Sequence, residues 1–400
     1  MKVSNYIFLA AAVICLVVNC FGGDAEGLLT AKTRWTNLYS EDNWTDESPR
    51  LIRIGCDEYY VVGTSRFRNE EGSYDYKLWI WKLDSEGKRI WSKAINASDI
   101  QEDKEVIWSD LLCPMNERLI VVRESMPGTG TWLMRFDEAG AISFVKKLEL
   151  GSESYALCNI AGTKDGYLIS GSKIGDNTDA WVLKIDSNGS QLWQKTYDKG
   201  KSEHAMSMAA VEGGGFTLAA NSGEYNKFGG GESAVWVVKC GSMGNVLAET
   251  LFPGRGPTIA VTSAGTYAVS YNTADFPSVE LYITGLDKEL NHIGKTAELY
   301  KGDGLGMYNL ATDGNDNFIV AGSKFSEVWL WKIDERGRQI WSTSINNDRS
   351  VVRVESLLVD DKEYILAGSA GISRTVRRKK DAQKDLFDIL IAKVIEVNSD

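Results

Sequence analysis

The chain has 400 residues, a formal net charge of −11 and 25% charged residues. Such an acidic balance argues against general binding to nucleic acid, which needs basic surfaces. The whole chain contains only His204 and His292, which argues against a histidine-dependent triad or a multi-histidine metal site.

The N-terminal segment has the features of an export signal. Lys2 precedes an apolar run over residues 6–18, which is too short to span a bilayer comfortably. The following LVVNC resembles a bacterial lipoprotein box, in which Cys20 would carry the lipid. Asn19 occupies a place that such boxes usually give to Gly, Ala or Ser, so ordinary cleavage near Gly22–Ala25 is the alternative. We expect an exported protein that is lipid-anchored in the cell envelope or secreted.

A hairpin pattern recurs along the rest of the chain, as in KLDSEGKRIW, KIDSNGSQLW and KIDERGRQIW. At spacings of 46 to 55 residues, its turn position holds Asp84, Asp137, Asp186, Gly241, Asp287 and Asp334. Five residues before each turn position stand Trp79, Trp132, Trp181, Trp236, Tyr282 and Trp329. Three residues after it stand Gly87, Gly140, Gly189, Gly244 and Gly337, with Leu290 as the exception. Asp can bond the turn backbone and Gly can take a positive φ, so the pattern predicts a tight β-hairpin.

Each repeat also contains a second motif upstream of the hairpin: YYVVG, GYLISG, NFIVAG and EYILAG end at Gly63, Gly171, Gly322 and Gly368. Four short β-rich runs per repeat, named A to D in chain order, are typical of a β-propeller blade. Seven repeats begin near Pro49, Glu105, Ser152, Glu203, Gly254, Gly306 and Ser350. The seventh lacks its D strand, which the N-terminal KTRWTNLY would supply. The sequence therefore predicts an all-β, seven-bladed propeller over residues 28–400, in a single copy, after a signal peptide over residues 1–22.

The segment DGYLISGS…DAWVLKIDSNGSQLWQKTY resembles repeats of exported bacterial β-propeller proteins. Its KIDSNGSQLW part is similar to the repeats of quinoprotein dehydrogenases and of the outer-membrane-assembly lipoprotein family, which have a turn one residue longer. The resemblance implies the fold and an exported location, and it transfers no catalytic residue.

Two repeated series invite functional interpretations. A basic residue recurs as Lys82, Arg135, Lys184, Lys239, Lys332 and Lys393, which could form a cationic ring. Because these residues recur with the fold, we expect each to pair with an acid or a carbonyl near the C–D turn. The repeated Trp series could bind sugars, but we expect it to form the core between blades.

Features that break the repeat are better candidates for binding, and the B–C loops vary most. The last blade carries a cationic cluster at Arg374, Arg377, Arg378, Lys379, Lys380 and Lys384. Other B–C loops offer the aromatic residues Tyr74, Tyr76, Tyr225 and Phe228. The cluster could bind lipid phosphates, an acidic polysaccharide or an acidic protein, and a solvated loop without a ligand is the alternative.

Metal and cofactor chemistry have little support in the sequence. DGNDN at 313–317 is similar to a calcium loop, but no bidentate acid follows at the required spacing, so we expect an A–B turn. Cys56, Cys113, Cys158 and Cys240 lack metal-ligand spacing and could form disulfides or lie buried as thiols. We expect no cofactor and no metal.

Three functions remain open. The first is a non-catalytic module that binds an envelope protein or glycan through the B–C loop face. The second is an enzyme at the axial funnel, either quinoprotein-like or a polysaccharide hydrolase or lyase. The third is a structural envelope component without a ligand.

Overall fold

The computed structural model of the chain describes residues 29–39, 45–55, 58–68, 74–95, 97–100, 108–114, 116–124, 130–151, 153–224, 233–273, 278–303, 305–347, 351–371 and 387–398. Over these residues the structure contains 28 strands and one short 3-10 helix, Ala97–Ile100. No helix among them is long and apolar enough to cross a membrane.

The strands form seven antiparallel four-stranded sheets, which are the predicted blades. Blades 1 and 2 contain β2 (Thr45–Ile54), β3 (Glu58–Arg68), β4 (Tyr74–Leu83), β5 (Arg89–Ile95), β6 (Trp108–Leu112), β7 (Leu119–Glu124), β8 (Thr131–Phe136) and β9 (Ile142–Leu148). Blades 3 and 4 contain β10 (Ser154–Thr163), β11 (Gly166–Ile174), β12 (Asp179–Asp186), β13 (Gln191–Tyr197), β14 (Ser202–Ala210), β15 (Phe216–Gly223), β16 (Ser233–Cys240) and β17 (Val246–Pro253). Blades 5 and 6 contain β18 (Arg255–Val261), β19 (Tyr267–Asn272), β20 (Ser278–Leu286), β21 (His292–Asp303), β22 (Leu305–Thr312), β23 (Phe318–Lys324), β24 (Glu327–Ile333) and β25 (Gln339–Asn346).

The two ends of the described chain build blade 7 together. Its strands are β26 (Val351–Asp360), β27 (Glu363–Gly371), β28 (Phe387–Asn398) and the N-terminal β1 (Leu29–Tyr39), in the order β1-β28-β27-β26. β1 pairs antiparallel with β28 from Leu29 opposite Asn398 to Tyr39 opposite Ile389. The predicted closure of the ring by the N-terminal strand is therefore confirmed, and it covers an edge that would otherwise be open.

The core consists of seven apolar layers, one between each pair of neighbouring blades. The layer between blades 7 and 1, for example, joins Trp79 and Trp81 of β4 to Ile365 of β27 and Ile389 of β28. Equivalent layers lie between the other blades. Strand A of each blade contacts strand A of the next around the ring, so the A strands surround the axis and the D strands lie outermost.

The C–D turns share one hydrogen-bond pattern that explains their sequence. Asp186 Oδ1 accepts the N–H groups of Asn188 at 2.9 Å and Ser190 at 2.7 Å, and Gly189 takes a φ of 71°. The same pair of bonds forms at Asp84, Asp287 and Asp334. Leu290 takes the glycine position in blade 5 with a φ of 67°, and its burial between blades 4 and 5 offsets the strain.

The D strand of each of several blades packs on the C–D turn of the next blade. A Cβ on Gly140 of blade 2 would lie 2.5 Å from the Trp91 ring of blade 1. Likewise a Cβ on Gly87 would lie 2.7 Å from the Trp35 ring of β1, whose Nε1 donates to Ser85 O at 3.1 Å. The turn glycine is thus required by space as well as by its positive φ.

Candidate functional site

The repeated basic residues are held by internal partners. In four blades the partner is an acid at the A–B turn: Glu58 lies 2.7 Å from Lys82, Asp165 2.6 Å from Lys184, Asp313 2.9 Å from Lys332 and Glu363 2.7 Å from Lys393. In two blades, Arg135 and Lys239 donate to carbonyl oxygens in the C–D turn of the next blade, those of Ser187 and Lys288. The expected acid and carbonyl partners are therefore present. The closest acids come from the A–B turn, and Glu138 in the C–D turn of blade 2 also lies 3.4 Å from Lys82. These cations stabilise the rim formed by the A–B and C–D turns.

One of these cations belongs to a buried ionic cluster between blades 6 and 7. Lys332 lies between Asp313 and Glu396, and the three side chains are 4, 0 and 3% exposed. Glu396 Oε2 also accepts bonds from Trp341 Nε1 at 3.1 Å and from the Tyr364 hydroxyl at 2.9 Å. Burial alone would lower the pKa of Lys332 and raise those of the two carboxyls. The contacts within the cluster outweigh it, so the pKa of Lys332 is raised and both carboxyl pKa values are lowered.

The DGNDN segment is the predicted turn. Asp313 Oδ1 accepts the N–H groups of Asn315 and Asn317, each at 2.9 Å, and Asn317 Nδ2 donates to Asp313 Oδ2 at 3.1 Å. These bonds hold the Asp313 carboxylate in place for its ion pair with Lys332, so the segment stabilises the propeller.

The repeated aromatic series is core, as expected, in four of its six positions. Trp79, Trp132, Trp181 and Trp236 are buried, at 1, 7, 1 and 3% exposure. A Cβ on Gly63 would overlap the Trp79 ring, so the glycine of strand B provides space for the Trp of strand C. Tyr282 and Trp329 are half-buried in the layer that their own blade forms with a neighbour. These aromatic rings are not free platforms for sugars.

The residues singled out for binding lie outside what the structure describes. This holds for Cys20, Tyr225 and Phe228, for the cationic cluster of residues 374–384 and for the side chains of Tyr74 and Tyr76. The backbone of Tyr74 and Tyr76 begins β4, where they pair with Arg68 and Arg66.

The structure describes the base of the cationic loop, which is held by strand pairing and by packing of the Phe387 ring. The loop leaves the sheet at Gly371 and returns at Phe387, which pair directly across β27 and β28. A Cβ on Gly371 would lie 2.5 Å from the Phe387 ring, and the Arg353 guanidinium lies 5.9 Å from the centre of that ring. Arg353 is exposed, so a cation lies beside the base of the loop.

Next to this base, the two-residue B–C turn of blade 6 presents an exposed aromatic ring that sequence reasoning missed. Phe325 is 57% exposed and has a φ of 50°, a conformation that bulky residues rarely adopt. Its carbonyl accepts the Val352 N–H at 2.7 Å, and the Ser326 carbonyl accepts the Asn347 N–H at 3.2 Å. These bonds tie the B–C turn of blade 6 to its D–A connection and to strand A of blade 7, so both kinds of loop meet on this face.

Three carboxylates converge on the same face between blades 3 and 4. Oxygen atoms of Asp179, Asp198 and Glu203 all lie within 4.8 Å of one another. Glu203 is fully buried and accepts bonds from the Ser222 hydroxyl at 2.9 Å and the Lys199 N–H at 3.1 Å. Burial, followed by repulsion from Asp198, raises the pKa of Asp179. Oxygen ligands of this kind suit a hard cation, although the bonds to Glu203 already hold it in place without one.

At the axis, the polar residues of the inner strands join blades. Arg50 donates to the carbonyls of Leu111 at 3.2 Å and Glu355 at 3.0 Å, which links blades 2, 1 and 7. Glu355 Oε1 in turn accepts a hydrogen bond from the Ser369 hydroxyl at 2.6 Å.

The described cysteines are free thiols: Cys113, Cys158 and Cys240. Burial raises the pKa of Cys113 to about 12 and that of Cys240 to about 11. Cys56 lies outside the described residues.

No family model and no curated protein matches the chain. Among solved structures, a protein of unknown function from Bacteroides caccae is 12% identical over 67% of this chain and 90% of its own, with a TM-score of 0.40. A member of the DUF4221 family from Bacteroides vulgatus is 8% identical over 94% of this chain and 100% of its own, with a TM-score of 0.43. The β-propeller domain of the Trilobed protease from Pyrococcus furiosus, which has an open velcro topology, is 10% identical over 90% of this chain and 100% of its own, with a TM-score of 0.48. The assignment of this chain as a seven-bladed β-propeller follows from its own sheet topology.

Proposed function

We propose that this chain is an exported, lipid-anchored, non-catalytic propeller that binds an acidic protein or glycan of the cell envelope through its B–C loop face. The proposal rests on the contacts that the repeated basic and aromatic residues make. The basic series is bonded within the opposite rim, and most of the aromatic series is buried between blades. Residues that recur from blade to blade therefore stabilise the propeller, and residues that differ between blades are the better candidates for ligand binding.

Charge and shape on the B–C face support an acidic ligand. Exposed Arg353 and the exposed ring of Phe325 lie beside the base of the loop that contains the cationic cluster. Guanidinium groups bind carboxylate and phosphate oxygens through paired hydrogen bonds, and an exposed aromatic ring adds apolar contact.

The test is cross-linked capture of the partner from the protein's own envelope fraction. Wild type is compared with a variant in which Arg374, Arg377, Arg378, Lys379 and Lys380 are changed to Gln. A matched control neutralises five exposed cations of the opposite rim: Lys88, Arg89, Lys288, Arg336 and Arg338. We expect a discrete partner that is lost in the first variant and kept in the control, with melting temperatures close to wild type in both. Equal recovery by all three proteins, or loss of fold in the first variant, would contradict the proposal.

Anchoring is tested separately. If Cys20 carries the lipid, Cys20→Ser should move the protein from the membrane fraction to the soluble fraction without changing its melting temperature. An unchanged distribution would refute the anchor and leave the binding face untouched.

A further inference from the structure

The outer edge of blade 4 exposes apolar side chains in an unusual density. Met243, Val246, Leu247 and Leu251 are 65, 50, 59 and 52% exposed, and we name these four residues the blade 4 strip. They make up four of the ten exposed large apolar side chains in the described part of the chain. A concentration of this kind on one hairpin indicates a contact surface, whereas isolated exposed apolar residues need no explanation.

The repeat itself supplies an internal comparison for the strip. With the hairpins aligned on their turn glycine or on Leu290, the position of Met243 holds Glu86, Ala139, Asn188, Glu289 or Arg336 in the other blades. The position of Val246 holds Arg89, Ile142, Gln191, His292 or Gln339. The position of Leu251 holds Ala94, Lys147, Thr196, Ala297 or Ser344. At these three positions blade 4 has replaced mainly polar or small edge residues with large apolar ones. The position of Leu247 is apolar in most blades, with Ile90, Leu192, Ile293 and Ile340.

The strand beneath the strip has little of the usual protection of an edge: one acid, Glu249, and a proline, Pro253, at its end. β17 is the last strand of its sheet, so its outer side pairs with no other described strand. It contains no Lys or Arg, whereas β1, β5, β9, β13 and β21 each carry at least one. The remaining outermost strand, β25, exposes polar residues instead: Gln339, Ser342 and Asn346. Natural sheets use such charged and polar residues to prevent pairing with another chain.

The strip is also electrically neutral. The only charged residue of β17 is Glu249, which forms an ion pair with Lys199 and accepts Trp236 Nε1 at 3.0 Å. A partner therefore needs no compensating charge, and a charged partner would lose hydration without gaining an ion pair.

We propose that two copies of this chain associate through antiparallel pairing of their β17 edges, with the apolar side chains of the two strips side by side across the seam. An interface with two-fold symmetry brings each surface against itself, which suits a neutral apolar surface and disfavours a charged one. Elsewhere the net charge of −11 makes the two copies repel, so the strip is a favourable place for close approach. This departs from the single-copy state expected from the sequence.

The size of the strip sets the strength of the dimer. The exposed parts of its four side chains amount to on the order of 400 Å² per copy, within the range of the largest patch on a monomer. Pairing would bury roughly 1,000 Å² in total, which lies at the lower end for specific interfaces. We therefore expect a reversible dimer with a dissociation constant in the micromolar range.

Sedimentation velocity of the full chain between about 1 and about 300 µM tests the dimer. Leu247→Lys places two like charges in the interface because of the two-fold axis, so the association constant should fall at least about ten-fold. Ile90→Lys is the matched control, since Ile90 is 55% exposed at the equivalent position of blade 1. It should leave the association constant within about two-fold of wild type. Any association through the apolar N-terminal segment is common to all three proteins.

Leu251→Lys serves as a second variant should Leu247→Lys fold poorly, and melting temperatures identify the variants that are folded. A monomeric wild type over the whole range would overturn the proposal and leave the edge available to a strand of another protein. Equal effects of Leu247→Lys and Ile90→Lys would overturn it as well.

Discussion

Replacement of Lys332 by Met should be far more destabilising than the same change at an equivalent lysine of another blade. Lys332→Met removes the cation that pairs with both buried carboxylates, those of Asp313 and Glu396. The methionine roughly preserves the volume of the side chain, so the loss measures the missing charge and its bonds. Lys184→Met is the matched control because its partner, Asp165, has a side chain that is 69% exposed.

The magnitude follows from what remains after the change. Removal of one partner from a buried ion pair costs about 3–5 kcal/mol. Asp313 would keep the N–H groups of Asn315 and Asn317, and Glu396 would keep its bonds to Trp341 and Tyr364. We therefore expect a loss near the lower limit, about 3 kcal/mol for Lys332→Met. An ion pair with an exposed partner contributes little, so Lys184→Met should cost about 1 kcal/mol or less.

Urea unfolding at pH 7 followed by tryptophan fluorescence gives both free energies. The comparison is valid if the dependence on urea has the same slope in the three proteins. Equal losses for the two variants, or a loss below about 1 kcal/mol for Lys332→Met, would refute the stabilising role of the buried cluster.

Three further predictions follow from the same contacts. Gly63→Ala should lower the free energy of unfolding by about 2 kcal/mol or more because its Cβ would overlap the Trp79 ring, whereas Gly314→Ala, which has open space, should change it little; equal urea midpoints would contradict this. The two carboxyl partners of Lys332 have lowered pKa values in the folded state, so both stabilise the fold. This stabilisation is complete above their unfolded pKa near 4 and is lost as the pH falls through the folded pKa values. Between pH 6 and pH 3, the free energy of unfolding should therefore fall less in Lys332→Met than in wild type. Burial raises the pKa of Tyr39 to about 12 and raises the pKa values of Tyr155, Tyr197 and Tyr364 further. A spectrophotometric titration should therefore show several tyrosines that ionise late, and Tyr39→Phe should remove one tyrosine that ionises near pH 12; an unchanged titration curve would contradict that assignment.

The fold could be predicted because its signals are local and repeated. The Asp–Gly turn fixes most outer hairpins through bonds within five residues, as at Asp186 and Ser190. Trp35 and Tyr39 on β1 identified the missing strand because they match the D strands of other blades. Even blade 5 forms its four strands, since burial of Leu290 compensates for the absent glycine.

The contacts that distinguish one blade from another could not be predicted in the same way. Glu396 lies 64 residues after Lys332, and the two meet only because β28 returns beside blade 6. Asp179, Asp198 and Glu203 come from separate segments of blades 3 and 4, with no spacing that signals a cluster. Phe325 lies in the shortest of the seven B–C connections, and sequence variation in long loops does not signal a tight turn that exposes an aromatic ring.

The measurement that tests the central claim most directly is site-specific photo-cross-linking in intact cells. A photoreactive residue replaces Phe325 on the B–C face in one variant and Arg336 on the opposite rim in another. We predict a discrete cross-linked species from position 325 and none from position 336. The same species from both positions, or a species from position 336 alone, would contradict the assignment of the B–C loop face as the binding surface.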